Sequence, residues 1–192
     1  MLVFVLHEFA QTAEGSAAVQ QIVKTCSNDD SVWFTPTYPT NNPHLAHIFL
    51  TDLVRKEIAD HNDYNILFIG VQLGGFWARH LARIFPPAKI ALLNPTIYPW
   101  RELQNFVGMN TNKGNGTRFE LAIGDVRTFE IYRVDQDRSD QQGVVIQNNT
   151  LGFDDKTRLK MYMMEGTTIT DDEINIVYEE FFEKEEIWKD IF

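Results

Sequence analysis

The segment Gly70-Val71-Gln72-Leu73-Gly74-Gly75 stands where a strand-like apolar run meets a helix-like one, and its glycine spacing is that of a nucleophile elbow. In such an elbow, G-x-S-x-G, the chain turns abruptly from strand to helix and lifts a serine hydroxyl above the sheet. Small residues flank the nucleophile because the turn brings two backbones close together. Gly70 and Gly74 fill those places and Gly75 adds room, but the central residue is Gln72. A carboxamide donates and accepts hydrogen bonds; it cannot attack a carbonyl carbon. The spacing predicts the frame of an acyl-transfer site without its nucleophile, with Gln72 held in the strained turn.

Glycine-rich strand-to-helix turns also cradle phosphates. Here the glycines do not spell G-x-G-x-x-G and no Walker lysine follows. A nucleotide cofactor is not expected, nor any other. Metal is not expected either. His44 and His47 lie three apart and His61 and Asp63 follow, but a metal needs further ligands at fitted spacing. The single cysteine, Cys26, excludes an internal disulfide and reads as a buried thiol on the side away from the elbow.

The elements that must position the elbow follow from the apolar patterning. Residues 2–6, 32–35, 65–70 and 89–94 are strand-length apolar runs, and 16–25, 44–60 and 75–85 carry helical spacing. Such alternation predicts βαβ units around a mostly parallel sheet with helices on both faces. Helix 44–60 is expected to bury a stripe of Leu45, Ile48, Phe49, Leu53 and Ile58. From 98 to 118 the pattern gives way to Gly, Asn, Thr and Lys, the composition of a cap or mobile insertion. Later strands are expected at 129–134 and 158–164, with a hairpin near 144–148. Thr170 and Glu173 have capping-box spacing for a last helix whose stripe is Ile174, Val177, Tyr178, Phe181, Trp188 and Ile191.

With 192 residues and 44% hydrophobic content, one domain with a full core is expected over residues 1–192. The formal net charge of −10, concentrated after Asp171, excludes a phosphate-tracking surface and hence nucleic acid. No apolar run approaches the roughly 20 residues that span a bilayer. The short apolar start lacks a basic flank and reads as a first strand and not a signal peptide, and the single cysteine makes a cytoplasmic location the expectation.

Three stretches resemble a known family. His7-Glu8-Phe9 after the first strand, the elbow from Gly70 to Arg79, and Leu92-Leu93-Asn94-Pro95 look like the YqiA/YcfP-like group of small bacterial α/β-hydrolase-fold proteins. The resemblance is good through Pro99 and weak beyond. It implies a small α/β-hydrolase fold and an esterase-like ancestry, and some members of that group also lack the elbow serine. Triad logic then puts an acid after the strand at 129–134, at Asp137 with Asp135 close by, and a histidine after the strand at 158–164, where Thr168 stands. The alternative for these aspartates is a solvated loop. His80 is the last histidine in the chain, so the order nucleophile, acid, histidine is not completed.

The oxyanion donors of such a site would be the N–H of Leu73 and one from Phe9 or Glu8, although Glu8 replaces the family glycine and sets a carboxylate beside them. His7 is expected to order its loop as a structural hydrogen-bond donor. The functional expectation is a noncatalytic binding or regulatory protein using this cleft for a small molecule or a protein partner. The alternative is a hydrolase whose water is activated by Glu8, His7 or Asp137. A subunit role, with self-association into a homo-oligomer, is the third.

Overall fold

The computed structural model describes residues 1–134, 145–147, 150–152, 159–162 and 171–183. Five parallel strands form the central sheet: β1 (Leu2–Leu6), β2 (Val32–Phe34), β3 (Ile66–Val71), β4 (Lys89–Leu93) and β9 (Leu159–Tyr162), in the order β2-β1-β3-β4-β9. β1 and β3 are buried at every residue, which is why they read as unbroken apolar runs: both sheet faces are covered. Side chains alternate between the faces. Leu2, Phe4, Leu6, Ile66, Phe68 and Leu92 join one core layer, and Val3, Val5, Leu67, Ile69 and Leu93 join the other.

The first layer is closed by α2 (Pro43–His61) and α3 (Leu73–Ile84), the second by α1 (Ala17–Cys26) and α6 (Asp171–Tyr178). α6 runs on into a π-helical turn, Glu179–Glu183. The α2 boundary is set by local chemistry. Asn42 caps it, its side chain accepting from the Leu45 N–H at 3.0 Å; Pro43 opens it, and Asn62 ends it in a left-handed conformation. A parallel sheet with these helices on its two faces is a small α/β-hydrolase-like fold.

Three expectations need correction. Residues 129–134 are not a strand. α5 (Ile123–Thr128) passes into a 3-10 turn, Phe129–Tyr132, and Val126, Phe129 and Tyr132 are buried at helical spacing while Ile131 is exposed. The apparent strand was three-residue periodicity in a short apolar window. The stripe on α2 is met in part: Leu53 and Ile58 pack against the core as expected, but Leu45, Ile48 and Phe49 are exposed, and Ala46, Leu50 and Val54 are the buried row. The row spaced by four, with small Ala46 at one end, forms the packing seam.

The segment expected over 98–118 is larger. It folds as α4 (Pro99–Glu102), a 3-10 turn Leu103–Phe106 and an antiparallel hairpin of β5 (Gly108–Thr111) and β6 (Arg118–Leu121), and continues through α5 to Tyr132. Beyond it, β7 (Val145–Gln147) and β8 (Thr150–Gly152) form the hairpin expected near 144–148. The capping residue Thr170 lies outside the described residues, as do Trp188 and Ile191.

Candidate functional site

At the carboxyl edge of β3, Gln72 adopts φ 47°, ψ −112° and α3 begins at the next residue. That conformation is costly for a residue with a Cβ, roughly 1–3 kcal/mol, and persists only where its surroundings fix it. Here they do. The Gln72 N–H donates to the Leu93 carbonyl at 3.0 Å, and its own carbonyl accepts from Gly75 N–H at 2.8 Å and Thr96 N–H at 2.9 Å. The half-buried side chain is carried at the turn where an elbow would present its nucleophile.

The glycines are steric requirements of this turn. A methyl at Gly74 would stand 2.0 Å from the Leu6 carbonyl oxygen, and one at Gly70 would stand 2.4 Å from the Gly74 carbonyl oxygen. One at Gly75 would meet the Pro95 side chain at 2.6 Å. β3, α3 and the end of β1 therefore touch through backbone, and Pro95 after β4 packs directly on Gly75. The N–H groups of Leu73 and Gly74 open α3 and have no acceptor within the helix, so the positive end of its dipole lies beside Gln72.

His7 and Glu8 follow β1. The Tyr38 N–H donates to His7 Nε2 at 3.3 Å, so that nitrogen carries the lone pair, and His7 Nδ1 donates to the Glu8 carbonyl at 2.9 Å. The Tyr38 hydroxyl donates to the His7 carbonyl at 2.6 Å and the two rings stack at 4.3 Å. Burial pushes the imidazole below its ordinary value and the Tyr38 hydroxyl well above its own. His7 is a neutral structural residue with both ring nitrogens engaged.

Glu8 has its carboxylate tied to α1: the Ser16 hydroxyl donates to Oε2 at 2.7 Å while accepting from the Val19 N–H at 3.2 Å as helix cap. A carboxylate next to a helix start is favoured by its dipole.

Phe9 packs against the segment after Pro99, 5.6 Å from the Phe106 ring and 5.7 Å from the Phe119 ring. The β5–β6 hairpin holds this loop from above. Lys113 N–H donates to the carbonyl of Ala10, itself left-handed at φ 55°, at 2.8 Å, and Asn112 Nδ2 donates to the Gln11 carbonyl at 3.0 Å.

Among the described residues, no group of three or more His, Cys, Asp or Glu is set to hold a metal ion, and no helix is long and apolar enough to cross a membrane. Asp135, Asp137 and Thr168 lie outside the described residues. The strand expected to deliver the acid is absent at 129–134. The one expected before Thr168 is present as β9, pairing with β4 from Ile90↔Leu159 to Leu93↔Tyr162. Cys26 is buried in the α1–α6 layer and its thiol is pushed up to about 12 by burial, which leaves it unreactive.

Sequence patterning missed one constellation: His80 of α3 reaches His47 of α2, and both meet Tyr132. The spacing of seven between Leu73 and His80 put His80 two turns below the elbow, on the same helix face, but its partners come from a different element.

A family model described as an uncharacterised protein family, UPF0227, matches residues 1–189. The chain belongs to that family. It is the YqiA/YcfP type, and the match runs far past Pro99, where the resemblance in the sequence had faded. The part of the chain after Pro99 thus belongs to the family match as well.

Proposed function

We propose that this protein is a noncatalytic α/β-hydrolase-fold binder, which uses the cleft at the elbow to hold a small molecule bearing a carbonyl or a similar acceptor. The observation that carries this is Gln72. It occupies the strained elbow conformation, braced by Leu93, Gly75 and Thr96, in a chain with no histidine after His80. A turn costing roughly 1–3 kcal/mol is kept where the serine that would justify it is missing. What the turn still offers is a carboxamide and the N–H groups of Leu73 and Gly74 at the start of α3.

With no hydroxyl at position 72 and no histidine base, the acyl-enzyme step has neither attacking atom nor proton acceptor. His7 does not substitute as base because both of its ring nitrogens are already bonded.

The experiment is a titration of labelled protein with butyramide, a neutral amide that cannot acylate it, read by amide chemical shifts. Saturable shifts at Leu73 and Gly74, absent from β2, are expected. Unchanged shifts at both residues throughout the titration would overturn binding at the elbow.

A further inference from the structure

The helices of the first layer are joined to the end of the insertion by a chain of imidazoles. His47 Nδ1 and His80 Nε2 are 3.0 Å apart, and His80 Nδ1 is 3.1 Å from the Tyr132 carbonyl oxygen. A carbonyl only accepts, so His80 Nδ1 carries the proton. The neutral ring then has its lone pair on Nε2, and His47 Nδ1–H must donate to it. The Tyr132 hydroxyl is hydrogen-bonded to His44 Nδ1, and its ring stacks on His47 at 4.9 Å. Three elements, α2, α3 and the turn at 129–132, meet here. Of these bonds, the one from His47 Nδ1–H to His80 Nε2 needs an uncharged His80, whereas His80 Nδ1–H donates to the Tyr132 carbonyl in either state.

We propose that His47, His80 and Tyr132 form an acid-released clasp that fastens the insertion, through its last turn, to the body of the domain. A second proton on His80 would turn its Nε2 from acceptor to donor, so that with His47 protonated at Nδ1 two N–H groups face each other at 3.0 Å, and the new charge lies buried between α2, α3 and the turn until the turn lifts away. The charged groups around the clasp do not offset this. His44, Arg55 and Asp52 act on His47 from α2, with Asp52 the one favourable charge, and Arg83 and His47 oppose a charge on His80. Glu130, in the turn itself, is paired with Arg133 at 3.2 Å. Burial, the largest effect, with His47 and Arg83, pulls His80 down to about 4 against the opposing pull of the Tyr132 carbonyl; His47 is lowered as well, chiefly by burial.

The sign follows from linkage. The released state binds more protons than the clasped one below about pH 6.5, so clasp stability is complete above that value and lost as pH falls toward 4. The turn at 129–132 is continuous through α5 with the hairpin that holds Phe9 and Ala10. Acid release therefore loosens the element joined to the hairpin that holds the loop after β1, and not only a surface turn.

Hydrogen exchange tests this on the intact protein. Deuterium uptake of peptides within residues 123–134 is compared with β3 at pH 7.0 and pH 4.5, after correction for intrinsic rates. The opening equilibrium of 123–134 is expected to rise on the order of 10–100-fold at the lower pH, well beyond any change in β3. His80→Gln, which keeps a neutral donor and acceptor, is expected to flatten that rise. Equal rises in the wild type and His80→Gln, or none in the wild type, would overturn the clasp. Should His80→Gln fail to fold, imidazole 15N spectra of the wild type decide. His80 protonated at Nδ1 and titrating well below 6.5 supports the clasp; the other tautomer, or titration near 6.5, overturns it.

Discussion

His7 and Tyr38 hold each other at both ends: the Tyr38 N–H donates to the imidazole Nε2 and the Tyr38 hydroxyl donates to the His7 carbonyl. The first strand is thereby locked to the loop that precedes α2, directly beside the elbow. Tyr38→Phe strands a buried carbonyl and is expected to cost about 1–3 kcal/mol in urea unfolding, with little change in m-value.

The same contact sets a pH dependence. The folded-state value of His7 is depressed by burial, so the unfolded chain binds the extra proton first. Stability from this residue is complete above about pH 6.5 and declines as pH falls below it. Urea midpoints of the wild type and His7→Gln, compared from pH 7.5 to 5, are expected to converge on the acid side.

Gly74 and Gly124 are expected to respond oppositely to alanine. At Gly74 the new methyl meets the Leu6 carbonyl oxygen, so Gly74→Ala should cost at least roughly 3 kcal/mol or prevent folding. At Gly124, in α5, nothing lies within 4 Å and the backbone is helical. Gly124→Ala should stabilise by about 0.4–1 kcal/mol. Thermal melts of the two variants read both.

At the turn itself, Gln72→Gly is expected to stay within about 1 kcal/mol of the wild type, because glycine adopts positive φ freely. Gln72→Val is expected to lose about 1–3 kcal/mol, since a β-branched residue is worst suited to φ 47°. Equal melting temperatures for these two variants would mean the turn relaxes when the residue changes.

Most of the frame was legible in the sequence. The runs at Leu2–Leu6 and Ile66–Val71 are fully buried strands, and full burial leaves an unbroken apolar signal. The elbow was legible because its glycines answer to backbone contacts that any such turn must make. The acid and histidine positions were less so. Phe129 and Tyr132 mimic a strand over four residues, and only packing against Phe76 and Trp77 reveals the helical turn. On α2, Leu45, Ile48 and Phe49 carry the stronger apolar signal while Ala46 marks the true seam, because close approach rewards small size over hydrophobicity. For His80 the spacing gives its place on α3 but not its partners. Its role exists only where α2, α3 and the insertion converge, and no local spacing records that meeting.

The second expectation from the sequence, a water activated by Glu8, has a direct reading. Ser16 already occupies one carboxylate oxygen, so Glu8→Gln should act through α1 and the Ser16 cap, at about 1 kcal/mol or less. Ester hydrolysis rates of the wild type and Glu8→Gln are expected to be the same.

The most direct measurement is turnover of p-nitrophenyl butyrate at neutral pH by the wild type and Gln72→Ala side by side. Both proteins are expected to hydrolyse it at one common, near-background rate. Enzyme-like turnover by the wild type that Gln72→Ala abolishes would contradict a noncatalytic elbow.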